Sequence, residues 1–200
     1  MIKEVPPKQH PTIEHTAYWE AFFSPEEIQK LLALPEWDSK TSAVVGADSG
    51  HNIINTSLRR SDIVWLNSSP ETEWIWEKIV VAVSEVNRHF FHLDLTGCYE
   101  PMQLSEYKGD NTGCYGWHID TDVDSRIPPR KLSMSLLLSD PSDYEGGDLQ
   151  VKTINDEPKT LEAKQGRAWF FPSYTLHQVT PVTSGTRRSI VLWVGGPAFK

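Results

Sequence analysis

The local pattern of the chain changes at Gly97, and this change restricts the fold more than any other feature. From Tyr99 onward the apolar residues fall in short runs of β type, with no further helical period. Turn-forming residues such as Asp140-Pro141 and Gly146-Gly147 separate these runs. The predicted strands are 102–107, 115–120, 132–138, 148–153, 159–162, 168–172, 177–180 and 188–194. Short strands at this spacing predict a mainly β fold, either a two-sheet sandwich or a jelly roll.

Two helices are predicted before that change, in a region of about 1–97. Ser24-Pro25-Glu26-Glu27 combines an N-cap serine, a proline at the first helical position and a glutamate three residues after the cap. Pro35 should stop this helix. The second helix should open at Ser68 or Ser69, before Pro70. Its predicted apolar stripe is Ile75, Ile79, Val83, Val86 and Phe90.

Composition limits the class of protein. The 200 residues suit one domain, with an N-terminal arm over 1–17, a lid loop over 41–58 and a jelly-roll core over about 98–200. The formal net charge is −8 and no basic run offsets it, which argues against a nucleic-acid partner. Cys98 and Cys114 are expected to be free thiols. No signal-peptide h-region or membrane-length apolar run is visible, so a cytoplasmic protein without membrane attachment is expected.

His118-Ile119-Asp120 is the pattern that most clearly points to chemistry. Residues i and i+2 of a strand share a face, so this imidazole and carboxylate can reach one point. They would supply two of the three ligands of a 2-His-1-carboxylate iron site. Among the other histidines, His177 is the best third ligand because it lies in a late strand-turn-strand pattern. Arg187 follows where the last strand opens, and its guanidinium could hold a dicarboxylate.

A second His-x-Asp, His92-Leu93-Asp94, shows that the motif alone is weak. It follows a helix end and lacks the tyrosine that precedes His118 in Tyr115-x-x-His118. A surface or packing pair is therefore expected there. For the first motif, the rival interpretation is a polar strand end with an unrelated histidine.

Several segments in order extend the pattern beyond these ligands. They are 107–120, 130–133, 138–141, 144–149 and 171–187. Over roughly 98–196 the chain resembles the Fe(II)- and 2-oxoglutarate-dependent dioxygenases, and within them the prolyl 4-hydroxylase-like family. The resemblance implies a double-stranded β-helix (jelly roll, cupin-like) with supporting N-terminal helices.

The resemblance also implies roles for residues. Fe(II) would bind His118, Asp120 and His177, with 2-oxoglutarate and O2 as co-substrates and ascorbate as an accessory reductant. Arg187 would pair with the distal carboxylate of 2-oxoglutarate. A hydroxyl from Tyr107 or from Tyr115 would also contact that carboxylate, as would Ser189. The alternatives are core aromatics for the tyrosines and an ordinary strand residue for the serine.

Strand alternation makes two further predictions around Arg187. Arg188 should point the opposite way, towards solvent or an acidic neighbour. Trp169 and Trp193 should belong to the core rather than to the pocket.

The implied reaction is hydroxylation of a C–H bond with release of succinate and CO2. Asp120 matters here because halogenating relatives lack this carboxylate. The family suggests a prolyl or other residue of a peptide or protein as substrate. A free amino acid or small metabolite, a nucleic-acid demethylase of the same superfamily and a catalytically silent binding module remain alternatives. The loops 41–58 and 122–130 are expected to select the substrate.

Overall fold

The computed structural model of the protein describes residues 15–43, 57–121, 128–153 and 157–198. The predicted arm over 1–17, the lid loop over 41–58 and the loop over 122–130 fall largely outside these ranges. In the described part of the chain, no helix is both long and apolar enough to cross a membrane.

Helix α1 spans Pro25–Leu32 and begins as its sequence predicts. The backbone N–H of Glu27 donates to the Ser24 hydroxyl, and the Glu27 carboxylate accepts from the Ser24 N–H at 2.7 Å. This capping box satisfies two N–H groups that the helix itself leaves unpaired. The helix buries Ile28 and Leu31 against the rest of the fold.

Helix α2 spans Glu73–Val86, so it begins later than predicted, with Thr72 as its N-cap. The predicted stripe is buried up to Val86, but Phe90 is 40% exposed and Phe91 is fully buried. The reason is a π-helical turn at Asn87–Phe91. Hydrogen bonds from i to i+5 insert an extra residue into the turn, which moves the next position into the stripe.

Thirteen strands are assigned in the described residues, joined in places by single 3₁₀ turns. They are β1 (Ala17–Trp19), β2 (Thr41–Ser42), β3 (Arg59–Arg60), β4 (Asp62–Leu66), β5 (Met102–Lys108), β6 (Cys114–His118), β7 (Arg130–Leu137), β8 (Tyr144–Gly146), β9 (Leu149–Lys152), β10 (Pro158–Thr160), β11 (Ala168–Pro172), β12 (His177–Val179) and β13 (Val182–Gly195). The strand predicted over 115–120 ends at His118, and the one predicted over 159–162 ends at Thr160. The last strand begins at Val182, before its predicted start.

The strands form two sheets. The larger, eight-stranded sheet has the order β1-β11-β7-β13-β5-β4-β2, and β8 pairs with the first residues of β13. The smaller, five-stranded sheet has the order β10-β9-β12-β6-β3. All of these pairings are antiparallel. The predicted mainly β jelly roll with N-terminal helices is confirmed.

Two apolar clusters lie on opposite faces of the larger sheet. The helix-side cluster joins Ile28, Leu31 and the α2 stripe to alternate residues of the central strands. The inter-sheet cluster joins residues of both sheets, such as Leu137 and Val151, so the two sheets face each other there. Polar side chains share that inter-sheet space and provide the candidate site.

Candidate active site

His118, Asp120 and His177 converge on one point between the sheets. His118 ends β6, His177 begins β12, and the two residues are direct partners across that strand pair. The Nε2 atom of His118 is 3.6 Å from Oδ1 of Asp120, and the Nε2 atom of His177 is 3.5 Å from Oδ2. Ligand atoms of all three residues lie within 4.8 Å of one another. The structure thus brings together the three residues that the sequence predicts as ligands.

The backbone sets the tautomer of both imidazoles. Nδ1 of His118 is 2.8 Å from the Gly116 carbonyl oxygen, and Nδ1 of His177 is 2.9 Å from that of Thr175. A carbonyl oxygen can only accept, so each Nδ1 carries the proton and each Nε2 keeps a lone pair for a metal. Burial lowers the pKa of His177, which also favours the neutral, ligating form.

The carboxylate of Asp120 is positioned from beyond the strand end. The backbone N–H of Asp120 donates to the Ser173 carbonyl at 2.8 Å, and the Ser133 hydroxyl donates to Oδ2 of Asp120 at 2.8 Å. Ser133 and Ser173 are themselves 3.0 Å apart through their hydroxyl oxygens. Both serines are fully buried, so the orientation of this carboxylate is fixed by the interior and not by solvent.

The charge state of Asp120 suits metal binding. Burial acts to raise its pKa, but His177, His118 and the Trp193 indole together hold that pKa below its ordinary range. The donor set is therefore two imidazoles and one ionised carboxylate. This donor set fits Fe(II), which binds in such 2-His-1-carboxylate sites. His92 and Asp94 are both exposed and lie outside this cluster of three donors.

Tyr115 stacks on a candidate ligand. Its ring lies 3.5 Å from that of His118 at an interplanar angle of 13°. Residues three apart on a regular strand point to opposite faces, but a register shift in the β6–β12 pair changes this alternation. Tyr115 is thus placed beside the metal ligands.

Arg187 occupies a different part of the inter-sheet space. Only 3% of its surface is exposed, and its Nη1 donates to the Ser189 hydroxyl at 3.1 Å. Tyr107 is its direct partner on β5, with the Arg187 guanidinium carbon 5.5 Å from the tyrosine ring. The buried Nε of Arg187 has no hydrogen-bond partner, so this guanidinium can still donate to an anion. Of the two tyrosines predicted as co-substrate contacts, Tyr107 is the one beside Arg187.

Two contacts of Arg187 could not be found by sequence reasoning. Gly147 has φ +64°, and a Cβ there would lie 2.9 Å from Cδ of Arg187. Tyr144 lies beside them: burial raises the pKa of its phenol, and the Arg187 guanidinium opposes that rise. A cavity of about 20 Å³ lies against these three residues and Ser135. That leaves room for about one water molecule.

Two predictions made around Arg187 have different outcomes. Arg188 does point the other way, and its Nε donates to Glu106 on the opposite face at 2.7 Å. Trp193 is buried as predicted, but it belongs to the site. The Arg130 guanidinium lies 3.8 Å above its ring and donates to the Asp120 carbonyl at 3.3 Å. An apolar strand pattern gives no signal for this placement.

Comparisons with known proteins place this geometry in a family. Residues 102–195 match the model of the 2OG-Fe(II) oxygenase superfamily. A PKHD-type hydroxylase of Shewanella sp. (strain ANA-3) is 34% identical over 175 residues, which cover 86% of this chain and 74% of that protein. The chain belongs to the 2OG-Fe(II) oxygenase superfamily.

A shorter match points to the same family, and two solved structures share the fold. A PKHD-type hydroxylase of Synechococcus sp. (strain CC9605) is 44% identical over 80 residues, which span 40% of this chain and only 36% of that relative. A Trichoplax adhaerens prolyl hydroxylase, solved with a hypoxia inducible factor peptide fragment, has TM-score 0.73 at 18% identity and covers 90% of this chain and 83% of its own. A Pseudomonas putida prolyl-4-hydroxylase has TM-score 0.70 at 16% identity, covering 92% and 94%. At these identities the structures establish the shared fold.

Proposed function

We propose that this protein is an Fe(II)- and 2-oxoglutarate-dependent dioxygenase that hydroxylates a residue of a peptide or protein, with proline as the first candidate. The observation that carries the proposal is the convergence of His118, Asp120 and His177, with both Nε2 atoms 3.5–3.6 Å from the carboxylate. Arg187, buried between the same sheets with a free donor, supports 2-oxoglutarate as co-substrate.

The protein's own residues would act by positioning and by excluding water. The Gly116 and Thr175 carbonyls hold both imidazoles with Nε2 towards the metal, and Ser133 holds the carboxylate. Bound Fe(II) would couple the reduction of O2 to decarboxylation of 2-oxoglutarate and hydroxylation of a substrate C–H bond, with CO2 released, one oxygen atom entering succinate and the other entering the new hydroxyl group. Arg187, Ser189 and Tyr107 would orient the distal carboxylate by charge-assisted hydrogen bonds.

The class of substrate is supported by similarity. The relatives that cover most of this chain are PKHD-type hydroxylases, and the Trichoplax adhaerens neighbour was solved with a peptide bound. A cytoplasmic location is part of the proposal, and it is consistent with Cys98 and Cys114, which are both free thiols.

The test is anaerobic addition of Fe(II) and then 2-oxoglutarate, followed by visible absorption. We expect a metal-to-ligand charge-transfer band in the wild type, and its loss in His177→Ala and Asp120→Ala. His92→Ala is the matched control because it alters the second His-x-Asp, and it should retain the band. A band of wild-type intensity in both ligand variants would contradict the site, and no band in the wild type would contradict the proposed function.

A further inference from the structure

Arg59 is a buried cation that the roles above do not use. It lies on β3, at the edge of the smaller sheet, directly opposite Tyr115 of β6. Only 6% of its surface is exposed. Arginine is seldom buried to this extent without a partner, because desolvating its charge is costly.

The contacts of Arg59 leave part of its guanidinium unused. Its Nε donates to the Ser61 hydroxyl at 2.8 Å, and its guanidinium carbon lies 4.4 Å from the Tyr115 ring centroid. Its Nη2 is buried and has no hydrogen-bond partner. Within the described residues, no carboxylate forms an ion pair with it. A buried donor of this kind is expensive to leave unpaired, which points to a missing acceptor.

The position of Arg59 connects this free donor to the metal site. The Tyr115 ring that it contacts also stacks on His118, 3.5 Å between ring centroids. Arg130, another arginine near the metal site, is already engaged: it pairs with Glu100 and donates to the Asp120 carbonyl. Of these two arginines, both in the described residues, Arg59 is the one with donor capacity left.

We propose that Arg59 binds a carboxylate of the substrate, an inference that rests on the proposed function and specifies its substrate. A guanidinium matches a carboxylate in charge and in fork geometry, and its contact with Tyr115 fixes its plane. The formal net charge of −8 gives an acidic substrate no long-range attraction. Recognition must then come from this short-range contact. The carboxylate can come from an acidic side chain or from a free C-terminus.

The experiment compares matched proline-containing peptides. One pair has Asp or Asn next to the proline, and a second pair ends at the proline as a free carboxylate or an amide. Succinate formation and the +16 Da product give kcat and KM. In one of the two pairs, we expect the wild type to have a KM for the carboxylate peptide that is lower by about tenfold or more than its KM for the neutral peptide. This difference is the size expected for one charge-assisted hydrogen bond. The pair that responds identifies the source.

Variants then locate the contact. Arg59→Met should abolish the preference by raising KM for the carboxylate peptide, while the charge-transfer band and the 2-oxoglutarate requirement stay unchanged. Arg60→Met is the matched control, since it removes the same charge from the next residue of β3, where Arg60 contacts the Thr112 carbonyl. It should retain the preference. Arg59→Lys keeps the positive charge but not the forked guanidinium, so its preference for the carboxylate peptide should be weaker than that of the wild type. This variant also provides the test if Arg59→Met does not fold.

Three results with the wild type and the Arg59 variants would overturn the proposal. The first is that the wild type uses both peptides of each pair equally well, or uses neither. The second is that Arg59→Lys and Arg59→Met keep the wild-type preference for the carboxylate peptide. The third is that the Arg59 variants need more 2-oxoglutarate than the wild type. The last result would make Arg59 a co-substrate contact. Loss of preference in Arg60→Met as well would assign the effect to net charge and would also reject the proposal. An intact band in the wild type distinguishes any of these from failure of the proposed function.

Discussion

The two faces of the larger sheet are built from the same strands but differ in chemistry. Towards the helices, β5, β7 and β13 present Met102, Leu104, Leu132, Met134, Leu136, Ile190, Leu192 and Val194, all buried in one apolar cluster. Towards the smaller sheet, the intervening positions are Gln103, Ser105, Tyr107, Ser133, Ser135, Arg187, Ser189 and Trp193, which are also buried. Burial alone therefore does not distinguish the two faces.

The two faces differ in how many polar groups they bury and in whether those groups have hydrogen-bond partners. On the helix side, burial of apolar surface stabilises the fold directly. On the inter-sheet side, each buried polar group needs a partner, and some have none in the protein alone, such as Nε of Arg187. Because successive side chains of a strand point to opposite faces, one strand contributes alternate residues to fold stability and to binding. Substitutions on one face should change one property and leave the other intact.

The largest effect on stability is expected from Leu192→Ala. Leu192 is fully buried on the helix side, so truncation should lower the free energy of unfolding by about 2–5 kcal/mol. Affinity of the folded protein for 2-oxoglutarate should not change, because the side chain points away from Arg187. Urea unfolding and the charge-transfer titration measure the two properties.

Ser189→Ala is the control on the other face of β13. It removes the acceptor of Arg187 Nη1 and should cost only about 0.5–1.5 kcal/mol of stability. It should weaken 2-oxoglutarate binding instead. Equal stability losses in the Leu192 and Ser189 variants would remove the proposed division between faces.

Arg187→Met tests the binding face more directly. Loss of a buried guanidinium that pairs with the co-substrate should raise the 2-oxoglutarate requirement by about 100-fold, with Fe(II) affinity nearly unchanged. Arg188→Met is the matched control, since Arg188 faces the other way and pairs with Glu106. Titration of 2-oxoglutarate against the charge-transfer band gives both values. Similar affinities in the two variants would reject Arg187 as the anchor.

Ser133→Ala should give a smaller effect at the metal. It removes the 2.8 Å hydrogen bond to Oδ2 of Asp120. Loss of a group that orients a ligand typically weakens metal affinity about 10- to 100-fold. Ser135→Ala, two residues along the same face of β7, is the control. Competition with a metal indicator would measure both, and equal Fe(II) affinities in the two variants would contradict a role for Ser133.

Local sequence signals predicted the parts of this fold that depend on neighbouring residues. The capping box at Ser24 and Glu27 forms as expected because all of its atoms lie within one turn. The opposite directions of Arg187 and Arg188 follow from strand alternation. His118 and Asp120 do meet at one point, although Asp120 lies beyond the strand end.

The features that were missed depend on contacts distant in the chain. The π-helical turn that buries Phe91 instead of Phe90 has no local sequence signal. Gly147 is a recognisable turn glycine, yet its closeness to Arg187 appears only when the two strands are assembled. The sequence gives no signal that Arg59 is buried, because a charged residue at a strand start is ordinarily exposed.

Glu106 is the exception that sharpens the comparison, because it is a buried carboxylate on the helix-side face of β5. Burial acts to raise its pKa, but Lys40 and Arg188 hold that pKa below its ordinary value. Its contribution to stability is therefore present above the unfolded-state pKa of about 4.3 and is lost as pH falls through the folded-state pKa. Glu106→Gln should lower stability at pH 7 by about 1–3 kcal/mol, with the difference from wild type shrinking below about pH 4. Urea unfolding across this pH range measures the effect, and Glu77→Gln, at an exposed position, is the control. A difference in unfolding free energy between Glu106→Gln and the wild type that stays constant with pH would contradict the prediction.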